Sequence, residues 1–345
     1  MVTVMPDLVP FRRFLVLCLV SATAAGCGEK ETSLSEGCYI GDAVPPAVKA
    51  EVTAAADRFF GRLRDQQLQE IYDGTASLVR EQQPAAEFLQ AIVRAARGVG
   101  IPRDPELHQI HVVKFGPRMA YQPRLSCPAP GQDDPYVLIL NEHPEQASLV
   151  QTASVGNERY FFSSLWHREE GEWRLVTFGV KPATLYGKDW REYEREAVVQ
   201  QEKEHVRNTA LLYNIAIDLA VPAPWVKPPA IEALQRGQRR LQVEYLPSGG
   251  DVMDVWGAAP DTFVVNRVAY VARSDGLGLI VHYLSQGDVA DSTFQDRRAR
   301  KLVDFIAESS PEYFEIFKSV SVQAFDREDR EKTWFGSYPL RRKEP

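Results

Sequence analysis

Six histidines and four cysteines are the side chains of this 345-residue chain best suited to metal or redox chemistry. Their spacing argues against both. His108 and His111 stand three apart in a stretch of strand-like alternation, where an odd separation sends side chains to opposite faces. His143, His167, His205 and His282 fall in different predicted elements without an HxxxH or HExxH partner, so only folding could gather them. No metal and no other cofactor is therefore expected. The cysteines, Cys18, Cys27, Cys38 and Cys127, form no CxxC pair, which leaves thioredoxin-like chemistry without support. GxSxG, GxxxxGK and GxGxxG are also absent, which removes the best-marked routes to hydrolase, nucleotide and dinucleotide chemistry.

The elements that must position any site show in the hydrophobic period. Val48, Val52, Ala55, Ala56, Phe59, Phe60 and Leu63 recur at three and four and predict a helix to about Gln66. A short helix around 68–73 stops at Gly74, and Pro84 opens a third that carries Phe88, Leu89, Ile92 and Val93. The period then falls to two. Strands are expected at 107–115 and 136–140, with a Pro- and Gly-rich segment at 116–135 that reads as an irregular loop or an interrupted hairpin. Residues 147–155, 159–168 and 173–180 are separated by turns at Gly156-Asn157 and at Glu170-Gly171-Glu172, which predicts two consecutive antiparallel hairpins. One face of such a sheet needs a helical layer, and the other can stay wet.

Beyond 182 the spacing predicts one long helix over 189–220, stopped by Pro222 and Pro224, and a second from Pro228-Pro229 through Ile231, Leu234 and Leu241. Together they read as a helical hairpin connector. A small α+β domain follows, with a hairpin of 262–272 and 277–284 around Asp275-Gly276, a helix carrying Leu302 and Ile306, and a last strand over 318–325. Trp334, Phe335 and Tyr338 form either a contact patch or a segment docked on its own domain.

The N-terminus decides the address. Arg12-Arg13, the apolar run 14–20 and Ser21-Ala-Thr-Ala-Ala-Gly26-Cys27 resemble a bacterial lipoprotein signal, which implies cleavage before Cys27 and a diacylglyceryl group on its thiol. A transmembrane helix is the alternative for an apolar run of this kind, but it is too short to span hydrocarbon, and ordinary secretion is the other competitor. The resemblance implies a palmitate-bearing protein of the cell envelope, outside the cytosol, with inner or outer membrane left open. Processing would remove Cys18 and consume Cys27. Cys38 and Cys127 would then face an oxidising compartment, as a disulfide worth roughly 4 kcal/mol by chain entropy or as two unrelated buried thiols. The formal charge of -7 becomes -8 once Arg12, Arg13 and Asp7 are lost, and such a surface repels nucleic acid. The C-terminal basic run, Arg341-Arg342-Lys343, reads as a solvated tail.

The order helix, short helix, helix, then a bent antiparallel sheet ending in Gly171-Glu-Trp-Arg-Leu-Val-Thr-Phe-Gly-Val180 resembles the NTF2-like, cone-shaped α+β fold over 47–182. The full expectation is an α+β chain: signal peptide 1–26, tether 27–46, NTF2-like domain 47–182, helical hairpin connector 183–246 and a second small α+β domain 247–340. Some NTF2-like proteins are isomerases or dehydratases, and Asp57, Tyr72 and His108 are the residues that this alternative would use. A binding or scaffold role without catalysis is the leading expectation. Its partner would be an envelope protein or a small apolar ligand, held in a cone lined by Phe59, Phe88, Tyr160, Phe162, Trp166 and Phe178, unless those side chains simply fill the core.

Overall fold

The computed structural model describes residues 34–241, 246–247, 249, 253–258 and 261–341. The segment expected to be a signal peptide and Cys27 lie outside them. The described residues from Glu36 onward form one unit. Among the described residues, no helix is long and apolar enough to cross a membrane.

Helix α1 (Pro46–Arg64) buries Val48, Val52, Ala55, Ala56, Phe59, Phe60 and Leu63, the whole expected stripe. It stops where Gln66 adopts φ 57° and Gln67 N–H returns to the Arg62 carbonyl at 2.9 Å, a left-handed cap of the type glycine usually supplies. Helices α2 (Leu68–Asp73), α3 (Ser77–Gln82) and α4 (Ala85–Ala96) follow, α3 being one that periodicity does not announce. Six residues are too few for a period of 3.6 to declare itself.

Strand β1 (Gly37–Ile40) lies inside the expected tether and corrects it. Its four residues pair antiparallel with β2 (Glu106–Lys114). Strands β3 (Arg124–Cys127) and β4 (Tyr136–Ile139) come next and pair antiparallel, so of the two readings of 116–135 the interrupted hairpin is the one that forms. Then β5 (Glu145–Val155), β6 (Glu158–Glu169) and β7 (Glu172–Pro182) make the two expected hairpins. The large antiparallel sheet has the order β1-β2-β5-β6-β7. Its helical side is closed by aromatic rings: Phe59 meets Phe178 at 5.0 Å and Trp166 at 6.4 Å, and Phe60 meets Phe162 at 6.1 Å.

The opposite face is not wet. Strands β3 and β4 join the two-residue β8 (Val226–Lys227) in a second, small sheet that lies over it. Trp225 Nε1 donates to Ser148 Oγ at 3.0 Å, and Ser163 Oγ donates to the Pro222 carbonyl at 3.0 Å. The polar residues that alternate along β5 and β6 are therefore interior. Cys38 and Cys127 tie β1 to β3 as a disulfide with a Cα separation of 5.9 Å.

The single long helix expected over 189–220 is two. Asp189 caps α5 (Trp190–Glu202) with a reciprocal capping box through Glu192. It ends as Glu204 takes φ 62°, with His205 N–H on the Gln200 carbonyl at 3.0 Å and Glu204 N–H on that of Gln201 at 2.9 Å. α6 (Val206–Ala220) folds back on α5, and α7 (Ala230–Arg239) follows β8. These helices are more than a connector. Tyr193, Ala197, Leu211, Leu212, Ile215 and Leu234 share one core with Phe263, Leu279 and Val281 of the last sheet. That sheet runs β13-β12-β11-β10-β9, built from β9 (Asp254–Ala258), β10 (Asp261–Arg273), β11 (Gly276–Leu284), β12 (Ser319–Phe325) and β13 (Thr333–Pro339). β11 and β12 are parallel, joined through α8 (Ser292–Ser309) and a 3-10 turn. The last strand thus contains Trp334, Phe335 and Tyr338. Tyr338 is buried with its hydroxyl on Asp296 at 2.7 Å, and Phe335 stays 55 % exposed.

Candidate functional site

A β-bulge builds the first part of the site. Leu107 pairs with Gln151 and Gln109 with Val150, so His108 is the extra residue on β2. The bulge reverses the expected alternation. His108 packs against Phe161 at 5.3 Å, on the same side of the sheet as His111, whose partner Ser148 faces Leu165. His111 is wholly buried under Tyr136, rings 4.8 Å apart, and desolvation alone holds its imidazole down at about pKa 3.

His108 opens onto a cleft of about 360 Å³ between the covered face of the large sheet, the small sheet and the start of α5. Tyr136, Phe161 and Trp190 give it flat apolar walls, and Arg159, Arg191 and Asp189 give it charge. Arg191 stacks on Trp190 at 4.3 Å and lies 3.6 Å from the Asp189 carboxylate, which also caps α5. Among the described residues, no carboxylate pairs with the Arg159 guanidinium. His108 remains accessible, yet the cleft walls desolvate it and both arginines repel its proton, so its pKa falls below the ordinary histidine value. A neutral imidazole beside two guanidinium groups can donate to an anion without adding a charge that must be desolvated. A larger groove of about 930 Å³ between α6 and β10 also carries two arginines, Arg239 and Arg267, but its lining has no histidine, and its Asp218 accepts the Tyr270 hydroxyl at 2.8 Å.

Compared with known proteins, the chain matches no family model, no curated protein and no solved structure.

The residues expected to line the cone mostly pack against one another. Phe59, Phe162, Trp166 and Phe178 are buried in ring-to-ring contact, and Trp166 Nε1 donates to Ser164 Oγ at 2.8 Å. Tyr160 sits half-buried near the start of β6, opposite Pro182. Phe88 meets Tyr72 at 6.2 Å and shares with Phe178 a shallow groove of about 330 Å³. The alternative catalytic set does not converge. Asp57 is exposed on α1, the Tyr72 hydroxyl donates to the Gln83 carbonyl at 2.9 Å, and His108 lies across the sheet.

The sequence reading missed Arg159, Arg191, Trp190 and Tyr136. Arg159 follows a turn and Arg191 sits in the first turn of a polar helix, where charges are ordinarily solvated. Only the bulge at His108 and the bend that carries β8 bring them to one place. Folding also gathers His143 and His167, which spacing kept apart. Their rings stack 4.1 Å apart and within 12° of parallel, and Glu169 joins them.

Proposed function

We propose that this protein is an extracytoplasmic binding protein, anchored by lipid on Cys27, whose cleft takes a small organic anion with a flat apolar body. The observation that carries this reading is the unpaired Arg159 facing the same space as His108, Arg191 and three aromatic walls. A cleft of about 360 Å³ suits a small ligand, with a few polar groups fixing orientation and apolar walls supplying most of the buried area. This moves the expected pocket from the aromatic cone to the other side of the sheet and replaces a purely apolar ligand with a carboxylate or phosphate. The lipoprotein-like leader and the NTF2-like order of elements over 47–182 support the address and the ancestry in this reading. No group in the cleft is a nucleophile held by a base, so binding is favoured over the isomerase alternative.

Thermal unfolding with benzoate and phenyl phosphate as probes tests the cleft. Millimolar concentrations of one or both should raise the midpoint by a few degrees by mass action, and Arg159→Gln should abolish the rise. No rise in the wild type, or an equal rise in Arg159→Gln, would refute the proposed site. The anchor has its own measurement. In a bacterial host, Cys27→Ser should move the protein from the membrane to the soluble fraction, because two or more acyl chains at about 0.8 kcal/mol per buried CH₂ hold it there. A wild-type N-terminal peptide without lipid mass would exclude the anchor.

A further inference from the structure

The ligand-bearing atoms of His143, His167 and Glu169 lie within 4.8 Å of one another. We infer that these three side chains form a site for one divalent transition-metal ion of the zinc class, with the fourth position left to solvent or a ligand. Two imidazoles and a carboxylate are the donor set that zinc takes where one coordination position stays open, and a mixed set that calcium and magnesium do not favour.

Three observations support it. His167 is 1 % exposed, and neither ring nitrogen has a partner among the described residues, so the fold buries an imidazole whose lone pair serves no internal bond. A metal bond would give it one. His143, on the loop between β4 and β5, places Nδ1 at 2.9 Å from the Glu145 carbonyl oxygen and at 3.3 Å from the Glu145 amide nitrogen. Only one of these can be a hydrogen bond to a given tautomer, and the shorter one has Nδ1–H donating to the carbonyl. That tautomer leaves Nε2 as the lone-pair atom, the usual arrangement of a metal-binding histidine oriented by backbone. The loop itself is pinned by Gln146 Nε2, which donates to the carbonyls of Asn141 at 2.7 Å and His143 at 3.0 Å.

Glu169 is held from the other side. It stands two residues from His167 on β6, hence on the same face, and its carboxylate accepts the Ser77 hydroxyl at 2.8 Å and the Ser77 amide at 3.0 Å. It also borders an open groove of about 430 Å³ with Arg80 and Arg174, which provides a path for an ion from solvent. Tetrahedral zinc with bonds of about 2.1 Å needs ligand atoms roughly 3.4 Å apart. The cluster must therefore tighten by somewhat more than an ångström. Rotation of the half-buried His143 out of its stack on His167 is the movement available. This site uses none of the cleft residues and stands or falls without the anion reading.

The experiment is a Zn²⁺ titration of the untagged full-length protein against a chromophoric chelator, with Co²⁺ absorption as a spectroscopic check. The wild type should bind one ion per chain, show visible bands of four-coordinate Co²⁺, and unfold at a higher temperature with Zn²⁺ than without. His143→Ala and His167→Gln should each weaken binding on the order of 100-fold or more and remove the thermal gain. If His167→Gln fails to fold, His143→Ala on its loop decides alone. Zero stoichiometry in the wild type, or an affinity unchanged in His143→Ala, overturns the site.

Discussion

Replacing Cys38 and Cys127 together by serine should lower the thermal midpoint of the oxidised protein by on the order of 10 °C. The bridge closes a segment of 89 residues, for which the chain-entropy model assigns about 4 kcal/mol of denatured-state constraint. The effect is concentrated at one place. Strand β1 is four residues long and sits at the edge of the large sheet, with β2 as its only neighbour there. A four-residue edge strand has little packing of its own to resist fraying. Untethered, it should open first and uncover the β2 edge, a row of unpaired backbone groups that other chains can pair with. Calorimetry of the double variant beside the wild type, with and without reductant, checks this. A midpoint within 2 °C of the wild type would contradict the assigned role, and so would insensitivity of the wild type to reductant.

The second large effect is acid lability centred on His111. In the unfolded chain an imidazole protonates near pH 6.5, whereas burial keeps His111 neutral in the folded protein down to about pH 3. Between those values the unfolded state binds the extra proton. Folding stability from this group is therefore complete above pH 6.5 and declines by up to about 1.4 kcal/mol per pH unit as pH falls toward 3. No charged neighbour contributes to the shift, and the Tyr136 ring lies 4.8 Å from the imidazole. His111→Phe keeps an aromatic ring against Tyr136 and removes the titration. Urea unfolding at pH 7, 5.5 and 4.5 should show the variant gaining on the wild type at each step down. Parallel profiles would show that some other group controls the acid response.

Legibility followed the length and regularity of each element. Helix α1 is long and strongly periodic, and all seven of its buried positions could be named from spacing. The hairpins of β5, β6 and β7 are fixed by local turn chemistry at Gly156 and Gly171, both at positive φ. The break between α5 and α6 gave no warning because the left-handed cap position carries Glu204 where glycine is ordinary, and the backbone hydrogen bonds of the cap override that preference. The polar alternation along β5 and β6 reads as a wet face. It is covered by a sheet whose third strand is two residues long, too short to leave a pattern. The site was lost for the same reason. His108 changes face through a bulge that no residue type announces, and Arg159, Trp190 and Tyr136 come from separate elements that meet only after that sheet has formed. The thiol pairing could be read because the lipoprotein resemblance sets Cys18 and Cys27 aside and leaves Cys38 and Cys127 to choose from. The stacked histidines could not, since His143 and His167 are 24 residues apart and meet through a loop.

The bend that carries β8 also bears on how such a chain could have arisen and how it can change. Its Pro222 and Trp225 hydrogen-bond to β6 and β5, while the helices on either side of it serve the core of the last sheet. A gene split after Pro182 would strip the first half of the layer over Ser148 and Ser163 and leave the second half with an orphaned bend. Recombination that swapped either half for a foreign one would meet the same penalty. The two halves must therefore be inherited together, and substitutions in the bend should be constrained from both sides, more like a hinge pin than like an ordinary surface loop.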